Sequence, residues 1–249
     1  MNWPDDYLIP GIEPYHVEEA GVIYCGDCRD ILPYLPKVDL VLTDPPYIGL
    51  KGGTELKYST GGVATNHIIS KTMDDRWFAS LEWVLMAWDK VNHGLMSFCS
   101  YHFVAELGDI LKDNKLALLS WYQRNSPPPI QNVPHFQNEY IWVFKKSNKA
   151  KWRNLKTNYD IPKLTAGCVS TGERVMDSNK RALHPTQKPL SLMLQLLKVE
   201  SDIILDPFLG SGTTAVAAKE LGRKFIGIEI SEEYCKIAVK RLRQGVLPL

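Results

Sequence analysis

No stretch of this sequence approaches the roughly 20 consecutive apolar residues of a membrane-spanning helix, so no membrane role is expected. The first residues carry Asp5, Asp6 and Glu13 and no apolar core, unlike a secretory signal, which makes the cytoplasm the expected compartment. Cysteine is sparse. The five, at 25, 28, 99, 168 and 235, are odd in number and scattered, as free thiols are, and do not suggest a disulfide framework. Cys25 and Cys28 form a C-x-x-C, but no second Cys or His pair at short spacing completes a zinc site. No metal is expected, and the pair reads as buried small residues. An excess of one charge is also missing: the net charge is +1. Internal repeats and low-complexity tracts are absent too. What is present is an ordinary globular composition, 45% hydrophobic and 23% charged, in 249 residues, enough for one domain with a substantial core.

The charges are unevenly spread. Between residues 145 and 188 stand eleven Lys and Arg against three acids, Asp160, Glu173 and Asp177, a local balance of +8 that leaves −7 elsewhere. An acidic body with one basic segment suits a protein that meets a polyanion on one side, and a solvated basic loop gives the same pattern. Two α/β blocks flank this segment. The first predicts a strand over 21–27, a short helix over 30–35 and a buried strand over 38–43. A helix over 74–90 places Trp77, Leu81, Val84, Leu85 and Trp88 on one face. Strands at 95–99, 116–123 and 139–145 and a helix at 103–111 follow. Residues 48–70, rich in Gly, Thr and Ser, show no period and read as a long loop, functional or disordered. The second block predicts helices at 190–199 and 213–221 and strands at 202–206 and 224–229. Ser231 caps a last helix, with Glu232 and Glu233 in its first turn. Strands alternating with helices imply an α/β fold with a mostly parallel, doubly wound sheet.

The run from Asp206 to Ala215 contains G-x-G-x-x-A between a strand and a helix, a variant of the nucleotide-binding turn. Glu229 ends the next strand, 23 positions after Asp206, where an acid can accept both hydroxyls of a ribose. Thr213 and Thr214 follow the glycines where a P-loop needs Lys, which argues against ATP or GTP. A pyrophosphate on the helix N-terminus would be repelled by Asp206 beside it. A cofactor with a cationic amino-acid end would be attracted, so S-adenosylmethionine, with its ammonium and sulfonium, fits better than NAD.

Asp44-Pro45-Pro46-Tyr47 ends the buried strand at 38–43. Consecutive prolines keep the backbone extended and remove two amide donors, which leaves carbonyls pointing outward unpaired. A carboxylate and a free carbonyl can together accept both hydrogens of a planar amine, and Tyr47 offers a ring for stacking. An aryl amine is a weak nucleophile because its lone pair is delocalised. Acceptors that favour the pyramidal form stabilise the positive charge that develops on nitrogen during methyl transfer. A rigid Pro-Pro turn capped by Asp is the plainer alternative.

This tetrapeptide resembles the catalytic motif of DNA amino-methyltransferases, and residues 206–214 resemble their cofactor loop. Residues 182–189, Ala-Leu-His-Pro-Thr-Gln-Lys-Pro, are similar to the family's remaining cofactor motif, and Gly26-Asp27-Cys28 to its acidic position on the third sheet strand. With catalysis first and the cofactor loop last, the order is that of the group called β, and the similarity runs from about 21 to 241. The resemblance implies a circularly permuted, Rossmann-like methyltransferase fold in a single domain. Its catalytic half would span 21–145, a small target-recognition insertion about 146–182, and the cofactor half 183–243.

The resemblance also assigns roles. Asp44, the Pro45 carbonyl, Pro46 and Tyr47 would hold a base flipped out of double-stranded DNA. Asp206, Phe208, Gly210, Ser211, Gly212 and Thr213 would line S-adenosylmethionine, with Glu229 on its ribose and Asp27 on its adenine amine. His184, Thr186 and Lys188 would stand near its methionine end. Residues 121–127 resemble a segment bordering the DNA cleft, which makes Arg124 a candidate phosphate contact; Lys149, Lys151 and Arg153 are candidates from the basic segment. The expected reaction is direct methyl transfer to adenine N6, since Asp at position 44, where Ser is the alternative, leans that way. Cytosine N4 stays open as a target, and an NAD-dependent oxidoreductase is the remoter reading. The short insertion leaves room for a second subunit, a homodimer, and the function for a cognate restriction endonuclease.

Overall fold

The computed structural model describes residues 3–46, 81–100, 103–123, 137–162, 164 and 187–244. Strands β1 (His16–Glu18) and β2 (Gly21–Cys25) lead to the short helix α1 (Cys28–Ile31) and to β3 (Val38–Thr43). Then come α2 (Glu82–Lys90), β4 (Val91–Cys99), α3 (Val104–Ile110), β5 (Lys115–Tyr122), β6 (Asn138–Lys145) and β7 (Asn158–Asp160). The last part holds α4 (Leu190–Leu196), β8 (Ile203–Asp206), α5 (Thr213–Glu220), β9 (Lys224–Glu229) and α6 (Glu232–Gln244). All nine strands among the described residues join one sheet, in the order β1-β2-β9-β8-β3-β4-β6-β5-β7. Five of the eight pairings are parallel, and the antiparallel ones are β1–β2, β4–β6 and β5–β6. The expected doubly wound, mostly parallel sheet is therefore present, with an antiparallel insertion near one edge.

Side-chain alternation explains why the central strands are apolar throughout. Ile23, Leu40, Leu42, Met96 and Phe98 face one layer, where they pack with α4, α5 and α6 residues such as Leu192, Ala217 and Ala238. Val22, Tyr24, Val41 and Leu95 face the other, against Ile31, Val84, Ala87 and Leu107 from α1, α2 and α3. Burial on both faces needs apolar residues at every position, not at alternate ones. In α2 the buried stripe is Trp83, Val84 and Ala87, while Leu85, expected on that face, is 54% exposed. Residues 74–80 of the expected helix lie outside the described residues.

Two differences from expectation have clear causes. Strand β4 begins at Val91, not near 95, because Gly94 is a packing glycine and no turn forms there. A Cβ at Gly94 would stand 2.2 Å from the Phe144 carbonyl oxygen and 2.8 Å from the Trp152 ring. Second, the described part of the expected insertion belongs to the sheet. The backbone amides of Lys146 and Ser147 donate to the His93 carbonyl, and β7 then pairs parallel with β5. Tyr159 and Ile161 join the core, and Trp121 Nε1 donates to the Ile161 carbonyl at 2.7 Å.

At the centre of the sheet β3 and β8 are parallel neighbours. From there the chain runs to β9 on one side and to β4 on the other. Such a switch point opens a crevice at the carboxyl ends of the strands. Beneath it, the N-terminal segment is held by the buried Tyr24, whose hydroxyl donates to the Tyr7 carbonyl at 3.0 Å and accepts from the Ile9 amide at 3.1 Å. Tyr24→Phe leaves both backbone groups without that partner. It should destabilise the fold by about 1–3 kcal/mol, read as a lower urea midpoint with an unchanged slope.

Candidate active site

The two strand ends at the switch point are joined by their own side chains. Thr43, the last residue of β3, donates its hydroxyl to Asp206 Oδ1, on the last residue of β8, at 2.6 Å. The Phe208 amide donates to the same oxygen at 3.1 Å, and Thr214 hydrogen-bonds the carboxyl from α5. Asp206 is only 4% exposed. Burial pushes its carboxyl up to about 6; the hydrogen bonds from Thr214, Thr43 and Phe208 oppose the rise and the nearby charge of Asp44 adds to it. A carboxylate held this way carries a desolvation cost that a bound cation would relieve.

The glycine turn after β8 is held from three directions. Leu209 and Gly212 close it through backbone bonds to Ile228 and Leu209. Gly212 has φ +83, and a Cβ there would lie 2.8 Å from the Ala238 Cβ, so glycine is needed both for the turn and for the approach of α6. Arg241, also on α6, donates to the Ser211 carbonyl at 2.7 Å, the Ser211 hydroxyl at 3.2 Å and the Thr213 hydroxyl at 2.9 Å. Glu229 ends the neighbouring β9 and is nearly buried; it accepts from the Gly210 amide at 2.8 Å and the Ser231 amide at 2.9 Å. Burial raises its carboxyl above the ordinary range, against the pull of those amides. A carboxylate has about four acceptor positions, and with the amides of Gly210, Ser231 and Ile230 bonded to it, capacity for a ribose hydroxyl remains. Phe208 leans edge-on against Trp83, ring centroids 5.1 Å apart, and forms an apolar wall beside the turn. These residues suit a ligand with a cationic end and a ribose.

Asp44 follows Thr43 directly and is itself paired. Lys188 Nζ donates to Asp44 Oδ2 at 2.5 Å and lies 3.2 Å from Glu139 Oε2, with the Phe98 ring 5.0 Å away. Burial of Lys188 works against its charge, but Asp44 and Glu139 outweigh it and hold its ammonium above the ordinary lysine range. Lys188, expected near the methionine end of a cofactor, thus pairs with Asp44, one residue beyond the Thr43–Asp206 bond. Sequence reasoning missed Glu139 and also the bracing residues Thr43 and Arg241. For Glu139 the available signal was an acid at the head of the apolar strand β6.

Asp27 stands beside Glu229 at the carboxyl end of β2: Cys25 pairs with Glu229 across β2 and β9, and the Gly26 amide donates to the Glu229 carbonyl at 2.9 Å. Asp27 caps α1 through the Arg29 amide at 2.9 Å and binds the Arg29 guanidinium, Nη2 to Oδ2 at 2.6 Å; hydrogen bonding to Arg29 holds its carboxyl below the usual range despite partial burial. Cys28 is buried as expected; Cys25, at the end of β2, is exposed. Lys149, Lys151 and Arg153 follow β6, whose end pairs with the start of β4, so they sit at the opposite end of the sheet from Asp44 and Asp206. There Lys151 pairs with Glu200. Pro45 and Pro46 follow Asp44, Pro46 being exposed. Tyr47, Arg124, His184, Thr186 and residues 48–70 lie outside the described residues.

Comparison with known proteins matches residues 38–240 to a family model, N6_N4_Mtase, described as DNA methylase. The chain is 31% identical to the type II methyltransferase M2.LlaDCHI of Lactococcus lactis subsp. cremoris, with 97% of each chain covered. It is also 31% identical to the type II methyltransferase M2.DpnII of Streptococcus pneumoniae, with 96% of each covered. Among solved structures, the M1.HpyAVI–SAM complex is 31% identical with a TM-score of 0.62, covering 88% of this chain and 98% of that one. The cytosine-N4-specific PvuII DNA methyltransferase superposes with a TM-score of 0.65 at 20% identity, covering 93% and 89%.

Asp206 gives a pH signature. Its folded carboxyl titrates near 6 against 3.8 for the ordinary group, so the folded state binds the proton more tightly and stability falls as pH rises between those values. Asp206→Asn should therefore stabilise the free protein by up to about 3 kcal/mol at pH 8 and by only about 1 kcal/mol at pH 4.5. Urea unfolding at the two pH values checks this; an Asn variant less stable at pH 8 would make the carboxylate a structural acceptor instead.

Proposed function

Because the chain belongs to the N6_N4_Mtase family of DNA methylases, we propose that it transfers a methyl group from S-adenosylmethionine to the N6 amine of adenine in double-stranded DNA. The observation that carries this reading is the meeting of Asp44 and Asp206 at neighbouring strand ends, joined through Thr43. One acid belongs to the target and the other to the donor, and the fold fixes their separation. The family match leaves no place for the nicotinamide-dependent alternative.

S-adenosylmethionine, when bound, supplies a methyl group on a cationic sulfur. Asp206 would face its positive end, and Glu229 would accept from its ribose. A base stacked in the duplex does not expose its amine to this crevice, so it must be extruded. Asp44 and the Pro45 carbonyl then accept the amine hydrogens, and their field stabilises the nitrogen as it turns positive. The amine attacks the methyl carbon directly. No cysteine nucleophile is required, and burial pushes the Cys28 and Cys99 thiols up to about 12, far from thiolate at neutral pH. Asp at position 44 favours adenine over cytosine. With type II methyltransferases among its relatives, the reading extends to a cytoplasmic modification enzyme paired with an endonuclease of the same site. Among the described residues no helix is long and apolar enough to cross a membrane.

Asp44→Ala should lower methyl transfer by at least about 100-fold while S-adenosylmethionine affinity, read by calorimetry, stays within a few-fold. Digestion of methylated DNA to nucleosides should yield N6-methyladenine; N4-methylcytosine would keep the chemistry and change the base. A second expectation follows from the placement of the basic segment. A true phosphate contact contributes about 0.9 to the log–log salt slope of DNA binding. Changing Lys149, Lys151 and Arg153 together to Gln should leave that slope unaltered, because they sit at the far end of the sheet. A slope reduced by two or more would place DNA against that end.

A further inference from the structure

Asp44 meets its target in company. Its Oδ2 is bonded to the ammonium of Lys188, a residue only 6% exposed. Taken as a pair, Asp44 and Lys188 are neutral, and a neutral pair can accept a hydrogen bond but offers little field to a nitrogen acquiring charge. Glu139 changes this balance. Its Oε2 lies 3.2 Å from the same ammonium, so two carboxylates share one cation. The Phe98 ring, its centroid 5.0 Å from the ammonium, adds an aromatic face but no formal charge.

We infer that Glu139 is a positioning residue for methyl transfer: by sharing Lys188 with Asp44, it makes the group Asp44, Lys188 and Glu139 carry one net negative charge where the target amine is received. The inference rests on the reading of Asp44 as the amine's acceptor and deepens it. In the transfer the S–CH3 bond breaks, the electron pair stays on sulfur, and an N–CH3 bond forms from the amine lone pair. Positive charge thereby moves from sulfur to nitrogen, and the extra proton on nitrogen leaves afterwards to solvent. The charge arrives beside Asp44, so a pocket of charge −1 stabilises the destination, whereas a neutral one does not. Asp206, the other acid nearby, faces the donor end, where charge is lost. Sharing the ammonium also restrains it: with a carboxylate on either side, Lys188 can lean towards Glu139 as the amine takes its place on Asp44, and no charge has to leave the buried site.

Charge counting supplies the test. Glu139→Gln makes the pocket neutral and should lower kcat by about 10- to 100-fold, with KM for S-adenosylmethionine and for DNA within a few-fold of wild type. Glu139→Asp keeps the charge and should retain kcat within a few-fold. Lys188→Met added to Glu139→Gln returns the charge of these three positions to −1, carried by Asp44, and should recover several-fold of the lost kcat. A purely structural ion pair predicts the reverse, a double variant no faster than the single one. That result, or a Glu139→Gln enzyme with wild-type kcat, overturns the inference. Should Glu139→Gln fold poorly, the comparison of Glu139→Asp with the double variant still decides, since both are predicted to outpace a neutral pocket and a structural role predicts that the double fails. An unmodified enzyme that transfers no methyl group to DNA bases would instead remove the parent reading.

Discussion

The hydrogen bond from Thr43 to Asp206 spans 163 positions of sequence and joins the two strands whose carboxyl ends form the site. In this chain order the Asp-Pro-Pro-Tyr motif precedes the glycine turn by most of the length of the protein, so no local geometry sets their distance. The setting comes from the parallel pairing of β3 with β8, Leu40 against Ile204 and Val41 against Leu205, continued past the last rung by the Thr43 hydroxyl. Because that bond is buried and short, it passes the position of one strand end to the other. Asp44 and Phe208, the residues that follow on each side, then start from fixed origins.

A second constraint is electrostatic. Asp206, Glu229, Asp44 and Glu139 are four acids at one end of a sheet, with Lys188 a buried cation among them. Such a grouping weakens the fold by itself and suits the proposed chemistry, a cationic methyl donor and a nitrogen that becomes cationic. The amides and hydroxyls around Asp206 and Glu229 hold these carboxylates ready without neutralising them. Stability given up in the free state reappears as affinity and rate, as sites built on preorganised charge require.

Much of this was legible in the sequence, and the limits have physical reasons. Strands 38–43 and 224–229 were read to the residue, because unbroken apolar runs ending in a charge mark strands buried on both faces. The glycine turn and Glu229 were legible from spacing alone. β1 and β7 were missed, being three residues long and specified by their neighbours, not by any period of their own. The start of β4 was placed near 95, since the packing role of Gly94 appears only when Phe144 and Trp152 close on it. Lys188 was recognised, but its pairing with Asp44 and Glu139 was not. Its partners Asp44 and Glu139 are remote in sequence, and a lysine's stem is long enough to reach several sites from one backbone position. Glu139 and Arg241 act only through residues distant in sequence, so no local pattern announces them.

The return of the chain through β7 has a consequence for which residues the fold can exchange. The backbone runs alongside β5 and is held at Ile161 by the Trp121 indole, which donates to a main-chain carbonyl. Every residue type carries that carbonyl, so the acceptor side of the bond survives any substitution at 161 that keeps the apolar contact. The donor side has no such latitude, because only an indole of this length brings an N–H to that place from β5. The anchor is thus written into the strand and not into the segment it holds, and change can accumulate on one side of the bond alone.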